Sequence, residues 1–311
     1  MSNYLVISHL RVRNANALSS PISIGVPSVT AFLGATHKLQ RYLNDNGYDS
    51  AKITGTGIVV HDADLRTFSS VKKFESLIES GKPLTRKGER PSGIPDPKID
   101  LVVSLICDIE DENFEIYDEE DFINKVDAAL STEIRIAGGD ILPPRMKGGK
   151  TASSFIEAGR IKYFQGKTAD NTSDLKGIKR LLTPGYALTE RRDLLMQEME
   201  KGKDPVEAIV DYLAVHHECV KDDMGTVEWS RKRKVAGWLV PISVGYQGVS
   251  KPEKVTNQRD ENYLHVFGEN LITLGEYKII NSVNNFNTII WRYKTDLNKQ
   301  LYLCMTCNGG N

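Results

Sequence analysis

The stretch YLVISHLRVR, residues 4–13, alternates in the way of a β-strand with two chemically different faces. Four apolar side chains at even positions and three basic side chains at odd positions point to opposite sides of a strand. The apolar set is Tyr4, Val6, Leu10 and Val12, and the basic set is His9, Arg11 and Arg13. We therefore predict an opening strand that covers a core with its apolar back and presents a basic front.

The residues after this strand continue as a regular series of helices and strands. The predicted elements are a helix from Ser28 to Asn46-Gly47, strands at residues 52–61 and 99–107, a helix that follows Asp118, and a strand at residues 134–137 before Gly138-Gly139. The apolar stripes of the helices are Phe32, Ala35, Leu39 and Leu43 in the first, and Phe122, Val126, Ala129 and Leu130 in the second. Residues 99–107 are apolar enough to form a central strand.

The resulting order, β-α-β-β-α-β, is the split βαβ or ferredoxin-like pattern, which also underlies RNA-recognition modules. We predict an α+β protein in which residues 1–144 form this core. The second half, residues 145–311, is predicted to be a mixed helix and strand region that packs on the core. It includes a helix that begins at Asp204-Pro205 and strand-like segments at residues 237–246 and 271–277.

A long insertion, residues 62–98, separates the second and third predicted strands. Its stretch from Arg66 to Lys98 holds 8 Lys and Arg against 4 Asp and Glu. A loop of this length is uncommon unless it has a function. The insertion is either a projecting basic arm or a disordered surface loop.

The composition is that of an ordinary globular chain of 311 residues, with 40% hydrophobic and 26% charged residues and a net charge of −1. The longest apolar run, at residues 237–246, is too short for a membrane helix and contains Pro241. No basic leader with a long apolar segment begins the chain, and its four cysteines form no regular framework. We expect a cytoplasmic protein with no membrane partner.

Charge is segregated along the chain. Residues 133–192 hold 12 Lys and Arg against 6 Asp and Glu, whereas residues 108–127 hold 10 acidic residues and one basic residue. Aromatic and basic residues are interleaved at residues 160–164 and again at residues 229–238. Aromatic stacking beside backbone-binding charge is one way in which single nucleic-acid strands are held, and core packing explains the same aromatics equally well.

Candidate catalytic and metal-binding residues are sparse. Cys304 and Cys307 form a single C-x-x-C pair, and the spacing does not favour a zinc site completed by Cys219, His216 and His217. His37 is suited to act as a general base or to bind a phosphate, although such a residue more often satisfies a backbone group. The pair Gly138-Gly139, followed by Arg145, is a turn at which backbone N–H groups can approach a phosphate.

Eight stretches, taken in their order along the sequence, resemble one family. They are Asn14–Ala17 with Ser19-Ser20-Pro21, Gly25 to Arg41, Gly57 to His61, Val103 to Leu105, Ala137 to Pro143, Leu181 to Leu188, Gly237 to Tyr246 and Glu269 to Glu276. In this order they resemble the subunit that caps the 5′ end of the guide RNA in type I-F CRISPR surveillance complexes, the Csy complexes. The similarity runs from about residue 4 to about residue 293.

The resemblance implies a repeat-associated RNA-binding fold with a β-hairpin thumb, which we place at residues 62–98. It implies that the chain holds the 5′ handle of the CRISPR RNA, docks the large subunit, and contacts the hexameric backbone subunit. The contact with target DNA is then indirect, because pairing between guide and target supplies the sequence specificity. It also implies a subunit without nuclease activity, cofactor or metal.

The predicted RNA-binding residues fall into two groups by chemistry. Phosphate contacts are assigned to Arg11, Arg13, His37, Arg86, Lys87, Arg135, Gly138, Gly139 and Arg145. Base edges or ribose hydroxyls are assigned to Asn14, Asn16, Ser19 and Ser20, whose amides and hydroxyls donate and accept hydrogen bonds. The asparagines alternatively cap a tight turn.

Two other functions remain open from the residues alone. The first is a metal-independent endonuclease of repeat RNA that uses His37 or His61 as its base. The second is a protein–protein adaptor whose charge segregation serves partner docking. The adaptor predicts no salt-sensitive binding of RNA.

Overall fold

The computed structural model describes residues 3–69, 75–78, 84–89, 96–110, 119–146, 148–165, 172–221, 225, 227–258 and 260–307. The strands are β1 (Asn3–Asn16), β2 (Leu18–Ser20), β3 (Ser23–Ile24), β4 (Lys52–Leu65), β5 (Thr67–Ser69), β6 (Glu75–Leu77), β7 (Lys98–Glu110), β8 (Arg135–Ile136), β9 (Gly139–Leu142), β10 (Ile161–Phe164), β11 (Tyr186–Glu190), β12 (His216–Lys221), β13 (Val227–Lys232), β14 (Trp238–Gly248), β15 (Gly268–Ile279), β16 (Ile290–Asp296) and β17 (Leu301–Met305). The helices are α1 (Val29–Asp45), α2 (Glu119–Thr132), α3 (Thr172–Leu182), α4 (Arg192–Glu200) and α5 (Pro205–Leu213), with short 3-10 helices at Ile280–Ser282 and Phe286–Thr288.

The first half of the chain builds a four-strand antiparallel unit in the order β4-β7-β1-β9. In the predicted β-α-β-β-α-β series these strands are the second, third, first and fourth strands, and α1 and α2 are its two helices. The predicted central strand at residues 99–107 is β7, which pairs with both β4 and β1. The α+β class is therefore confirmed, as a mixed structure with a large antiparallel sheet.

Helices α1 and α2 cover one face of this unit, as their apolar spacing predicts. In α1 the buried side chains are Val29, Phe32, Leu33, Ala35, Thr36, Leu39 and Leu43, and in α2 they are Phe122, Val126, Ala129 and Leu130. The predicted end of α1 is also confirmed, since Asn46 is its C-cap and Gly47 has a φ of 89°. Ser28 stands at the N-cap of α1 without a side-chain cap hydrogen bond. Asp118 lies outside the described residues.

A bulge in β1 changes which side chains lie on each face of the strand, so part of the predicted assignment is wrong. Between Ile7 and Leu10, three steps along β1 face two steps along β7, so the strand carries one extra residue there. The bulge reverses which side chains point to the helices. Leu5, Ile7, Leu10 and Val12 pack in the helix-covered core, whereas Tyr4 and Val6 pack in a second core on the opposite face. The prediction that Tyr4 and Val6 share a face with Leu10 is wrong for this reason.

The fourth strand also differs from the prediction. Residues 135–136 form β8, the outer arm of a hairpin, and β9 is the strand that pairs with β1. The turn residues Ala137 and Gly138 both have positive φ, 49° and 74°. Two such residues suit the tight turn of a hairpin, which allows the chain to reverse before it reaches β1.

The second half extends the same sheet and closes part of it into a ring. Residues 56–57 of β4 pair with β16, and residues 59–60 pair with β11. The remaining connections run β11-β15-β14-β17-β16, so these five strands and β4 form a closed circuit. At the junction, Nε1–H of the fully buried Trp291 donates to the carbonyl of Leu188 at 3.0 Å. The predicted domain boundary at residue 144 therefore lies within a chain whose two halves share a sheet, and it stays a prediction.

The helix predicted at Asp204-Pro205 is α5, and the Asp204 carboxylate accepts hydrogen bonds from the N–H groups of Val206 and Glu207. Its most buried residues are Ala208 and Tyr212, while Val206 and Val210 remain exposed. In the insertion at residues 62–98, β4 extends to Leu65 and a short β5–β6 hairpin follows. None of the described helices is long and apolar enough to cross a membrane.

Candidate nucleic-acid interface

The face of the sheet opposite α1 and α2 carries a polar trough at the end of β1. Arg11 and Arg13 point to this face because Leu10 and Val12 point to the helices. The trough has a volume of about 310 Å³. Its lining consists of Arg11, Val12, Arg13, Asp62, Asp64, Asp100, Leu101, Val102 and Leu142. The predicted basic front of β1 is thus present, and carboxylates from β4 and β7 accompany it.

Asp100 takes up part of this positive charge. One nitrogen of Arg66 contacts both of its oxygens at 3.0 Å, and the backbone N–H of Asn14 donates to Oδ1 at 2.8 Å. Burial raises the pKa of Asp100, but the hydrogen bonds from Asn14 and Arg66 and the nearby charge of Arg13 lower it below its usual value. Asp100 is therefore a fixed negative charge beside Arg13.

A cationic cluster shares Arg11 with the trough and extends beyond it. It consists of Arg11, Arg145 and Arg160. Burial and the nearby charge of Arg145 lower the pKa of Arg11. A nitrogen of Arg160 donates to the carbonyl of Arg145 at 3.1 Å. Among the residues that the structure describes, none of these three arginines forms an ion pair with a carboxylate.

Two histidines border the cationic cluster. The bulge in β1 gives His9 a φ of 54° and stacks its ring on that of His61, with centroids 4.0 Å apart. Nδ1–H of His61 donates to the carbonyl of Pro184 at 2.5 Å, which leaves Nε2 to accept from the hydroxyl of Ser104 at 2.6 Å. Burial, then His61 and Arg160, lower the pKa of His9 to about 4. Burial is also the largest cause of the lowered pKa of His61.

Two buried nitrogens in this region are without a hydrogen-bond partner in the described part of the chain. They are Nδ1 of His9 and Nε of Arg160. A buried polar atom that lacks a partner costs free energy, so these two nitrogens mark a locally unfavourable environment. A phosphate oxygen accepts hydrogen bonds, and the neighbouring guanidinium groups favour its negative charge.

An aromatic cleft adjoins the histidines. It has a volume of about 320 Å³, is lined in part by His61, and shares Asp62 with the polar trough. Tyr186 and Trp238 meet edge to face with centroids 5.4 Å apart, and Trp238 is 53% exposed. The other lining residues are Val26, Val60, Ala63 and Tyr277. Exposed aromatic rings beside cationic groups provide a surface on which a base can stack.

The four residues predicted to contact base edges or ribose hydroxyls lie at the end of β1 and in β2. Asn14 has a φ of 61°, and the Asn16 side chain accepts from the N–H of Leu18 in a local turn. Ser19 lines a second apolar cavity that shares Trp238 with the cleft. Ser20 is buried, and its hydroxyl contacts that of Ser23 at 2.6 Å.

The glycine pair and Arg135 lie at the β8–β9 hairpin, beside the end of β1. Gly139 is buried, and a Cβ there would lie 2.8 Å from the N of Ala15 and from the O of Arg13. Close approach of two backbones thus accounts for this glycine. Arg135 forms an exposed cross-strand ion pair with Asp140 at 2.9 Å.

The remaining predicted residues are not brought to this face by described contacts. His37 lies on α1, on the helix-covered side of the sheet, where its ring meets Tyr293 with centroids 6.5 Å apart. Arg86 and Lys87 lie in a turn in which the N–H of Gly88 donates to the carbonyl of Thr85. Within the described residues, no group of three or more His, Cys, Asp or Glu side chains is placed to hold a metal ion.

The sequence did not single out the partners that complete this surface. Ser104 and His61 were each visible within a predicted strand, but their hydrogen bond depends on the register between β4 and β7. Arg160 and Trp238 belong to the two runs of interleaved aromatic and basic residues, and His61 is a candidate base in the sequence, so these residues did carry a signal. The cleft joins Val26, Tyr186, Trp238 and Tyr277, and only the ring closure brings these distant residues together.

These features define an α+β protein whose sheet presents a cationic surface beside an aromatic cleft. A family model described as CRISPR-associated protein (Cas_Csy2) matches residues 5–304. A protein named CRISPR-associated protein Csy2, from Pseudomonas aeruginosa (strain UCBPP-PA14), is 27% identical over 316 residues, which cover 96% of this chain and 93% of that protein. The chain belongs to the Cas_Csy2 family, which confirms the family resemblance of its sequence.

Proposed function

We propose that this chain is a non-catalytic subunit of a type I-F CRISPR surveillance complex, where it binds the 5′ handle of the CRISPR RNA and docks the large subunit. Family membership supports the complex. The observation that carries the RNA-binding role is the cluster of Arg11, Arg145 and Arg160, which forms no ion pair with a carboxylate in the described residues. Phosphates supply the negative charge that such a cluster favours.

The arrangement of the sheet supports the same role. The strand order β4-β7-β1-β9 with two helices on one face is that expected of a ferredoxin-like core. RNA-recognition modules of this pattern bind single strands on the open sheet face, with bases stacked on aromatic side chains. Here the cationic cluster lies on that face, and the cleft with Trp238 adjoins it at His61 and Asp62 of β4.

The geometry favours a scaffold over an endonuclease. A general base needs a nitrogen free to take a proton from the nucleophile. Both ring nitrogens of His61 are engaged, and the hydroxyl that it contacts belongs to Ser104, which is fully buried. His37, the other candidate base, lies on the helix-covered side, away from the arginines.

The remaining parts of the proposal rest on the resemblance. The thumb at residues 62–98, with Arg86 and Lys87, contacts RNA, and the chain contacts the hexameric backbone subunit. Asn14, Asn16 and Ser19 read handle bases near the end of β1. The chain functions in the cytoplasm, contacts target DNA only through the guide, and needs no cofactor.

The test is co-expression of the tagged chain with its neighbouring genes and a CRISPR array, followed by sequencing of the RNA that co-purifies. We expect guides with one shared 5′ end, and their loss from the Arg11→Gln, Arg145→Gln variant while the partner subunits remain. Partner proteins without RNA would support the adaptor instead. Cleavage of repeat RNA by the purified wild-type chain, abolished by His37→Ala or His61→Ala, would support the endonuclease.

A further inference from the structure

The β12–β13 hairpin, residues 216–232, is an element that the proposed function does not use. Its strands pair in register from His216 opposite Lys232 to Lys221 opposite Val227. All six residues of β12 are exposed, and so are all of β13 except the half-buried Ser230. The hairpin therefore projects from the body of the protein with both faces open to solvent.

The two faces of this hairpin differ in charge. Directly opposed residues of an antiparallel pair share a face, and neighbours along a strand alternate. One face therefore carries His217, Cys219, Lys221, Val227, Trp229 and Arg231, and the other carries His216, Glu218, Val220, Glu228, Ser230 and Lys232. The ion pair of Lys232 with Glu218, at 2.7 Å, agrees with this assignment. All the carboxylates of the two strands lie on the second face.

The first face, called here the Trp229 face, combines an exposed ring with cations. Trp229 is 68% exposed, opposite Cys219. Arg231 lies two residues along the same strand, about 7 Å away by strand geometry. Lys221 lies on the opposite strand near the turn. Asp222 and Asp223, which follow Lys221 in sequence, lie outside the described residues.

The base of the hairpin is anchored. The ammonium group of Lys234 contacts Glu198 at 2.7 Å and Asp211 at 2.6 Å, and it lies 4.7 Å from the ring centroid of Tyr212. Within the basic run 231–234, Lys234 contacts α4 and α5, and Lys232 pairs with Glu218. Arg231 lies on the Trp229 face. Such anchoring reduces the entropy lost when the hairpin binds a ligand.

We propose that the Trp229 face binds a single nucleic-acid strand, with an unpaired base stacked on Trp229 and flanking phosphates bound by Arg231 and Lys221. Charge complementarity selects this occupant, because the face carries cations and no carboxylate of either strand. The site is separate from the Arg11 cluster and does not require that cluster to bind RNA. The strand is either the RNA of the complex or a displaced DNA strand, since both offer phosphates and bases.

The test uses the full-length chain with fluorescein-labelled single-stranded RNA and DNA of the same mixed sequence, measured by anisotropy. Stacking and phosphate contacts of this kind predict that the Trp229→Leu, Arg231→Gln variant binds about tenfold or more weakly than wild type. The control, Val220→Leu with Lys232→Gln, changes the opposite face by the same charge and is expected to alter affinity less than about threefold. Stronger binding of RNA points to the guide, and equal or stronger binding of DNA points to a displaced strand.

The proposal is overturned if the double variant binds both oligonucleotides as wild type does, or if wild type binds neither. It is also overturned if the double variant loses a partner subunit from the complex but keeps its affinity for both strands, which would make the face a protein contact. The Arg11→Gln, Arg145→Gln variant separates the two sites. If the Arg11→Gln, Arg145→Gln variant keeps wild-type affinity while the Trp229→Leu, Arg231→Gln variant loses it, the proposed function fails and the hairpin site stands.

Discussion

The imidazole ring of His9 stacks on that of His61, with centroids 4.0 Å apart and planes inclined by 20°. Burial is the largest cause that lowers the pKa of each ring, and the pKa of His9 falls to about 4. Both rings are therefore neutral at neutral pH in the folded chain. In the unfolded chain they titrate near their ordinary value of about 6.5.

This pair predicts how stability depends on pH. The unfolded chain takes up protons on both rings as pH falls below about 6.5, whereas in the folded chain the pKa of both rings is lowered, that of His9 to about 4. The free energy of unfolding therefore decreases as the pH is lowered through that window. We expect the fall between about pH 7 and about pH 5 to be smaller in His9→Asn by about 1 kcal/mol, after allowance for solvent screening. Asparagine tolerates the positive φ of residue 9. Urea unfolding at the two pH values is the measurement, and an unchanged fall in the variant contradicts the prediction.

The contact of the β8–β9 hairpin with β1 predicts a steric effect at Gly139. A Cβ at this residue would lie 2.8 Å from the backbone of Arg13 and of Ala15, which cannot move as a side chain can. Gly139→Ala is expected to lower the free energy of unfolding by about 1–3 kcal/mol. The control is Gly34→Ala on α1, where a Cβ meets no atom within 4 Å and raises helix propensity. Chemical denaturation that shows equal stability for the two variants would disprove the close packing.

The aromatic cleft predicts a loss of RNA affinity without loss of fold. Replacing Trp238 by leucine removes the exposed ring, and base stacking on an aromatic side chain contributes about 1–3 kcal/mol. We expect RNA of the handle sequence to bind about 5- to 150-fold more weakly to Trp238→Leu. Tyr263→Leu is the control, since Tyr263 is 72% exposed and does not line the cleft. Equal affinities of the two variants in a filter-binding titration would show that the cleft is not a base site.

Much of the fold could be predicted from the sequence because its strongest signals are local. The stripes of α1 and α2 fix which sides meet the sheet, and the apolar run of β7 fixes its central place. The bulge at His9 could not be predicted, since no residue type marks it and it depends on pairing with β7. It changes the face of Tyr4 and Val6, so strict alternation fails at this point.

The site was predicted less completely than the fold. Arg11, Arg13 and Arg145 follow from charge and position, and they meet at one region of the structure. Asp100, which reduces the charge near Arg13, lies about 86 residues further along the chain and comes to it only through strand pairing. The cleft needs the ring closure at β4, for which the second half of the sequence gives no local signal.

Salt dependence of RNA binding tests the central claim most directly. Wild type and the Arg11→Gln, Arg145→Gln variant are titrated with handle RNA over a range of salt concentrations, beside Lys38→Gln, Arg41→Gln, which removes two charges from the helix-covered side. If the cluster binds phosphates, the negative slope of log K against log salt becomes shallower by about one to two for the first variant. The slope of the α1 variant stays at the wild-type value. Equal slopes for all three proteins, or no binding of RNA by wild type, would contradict the account.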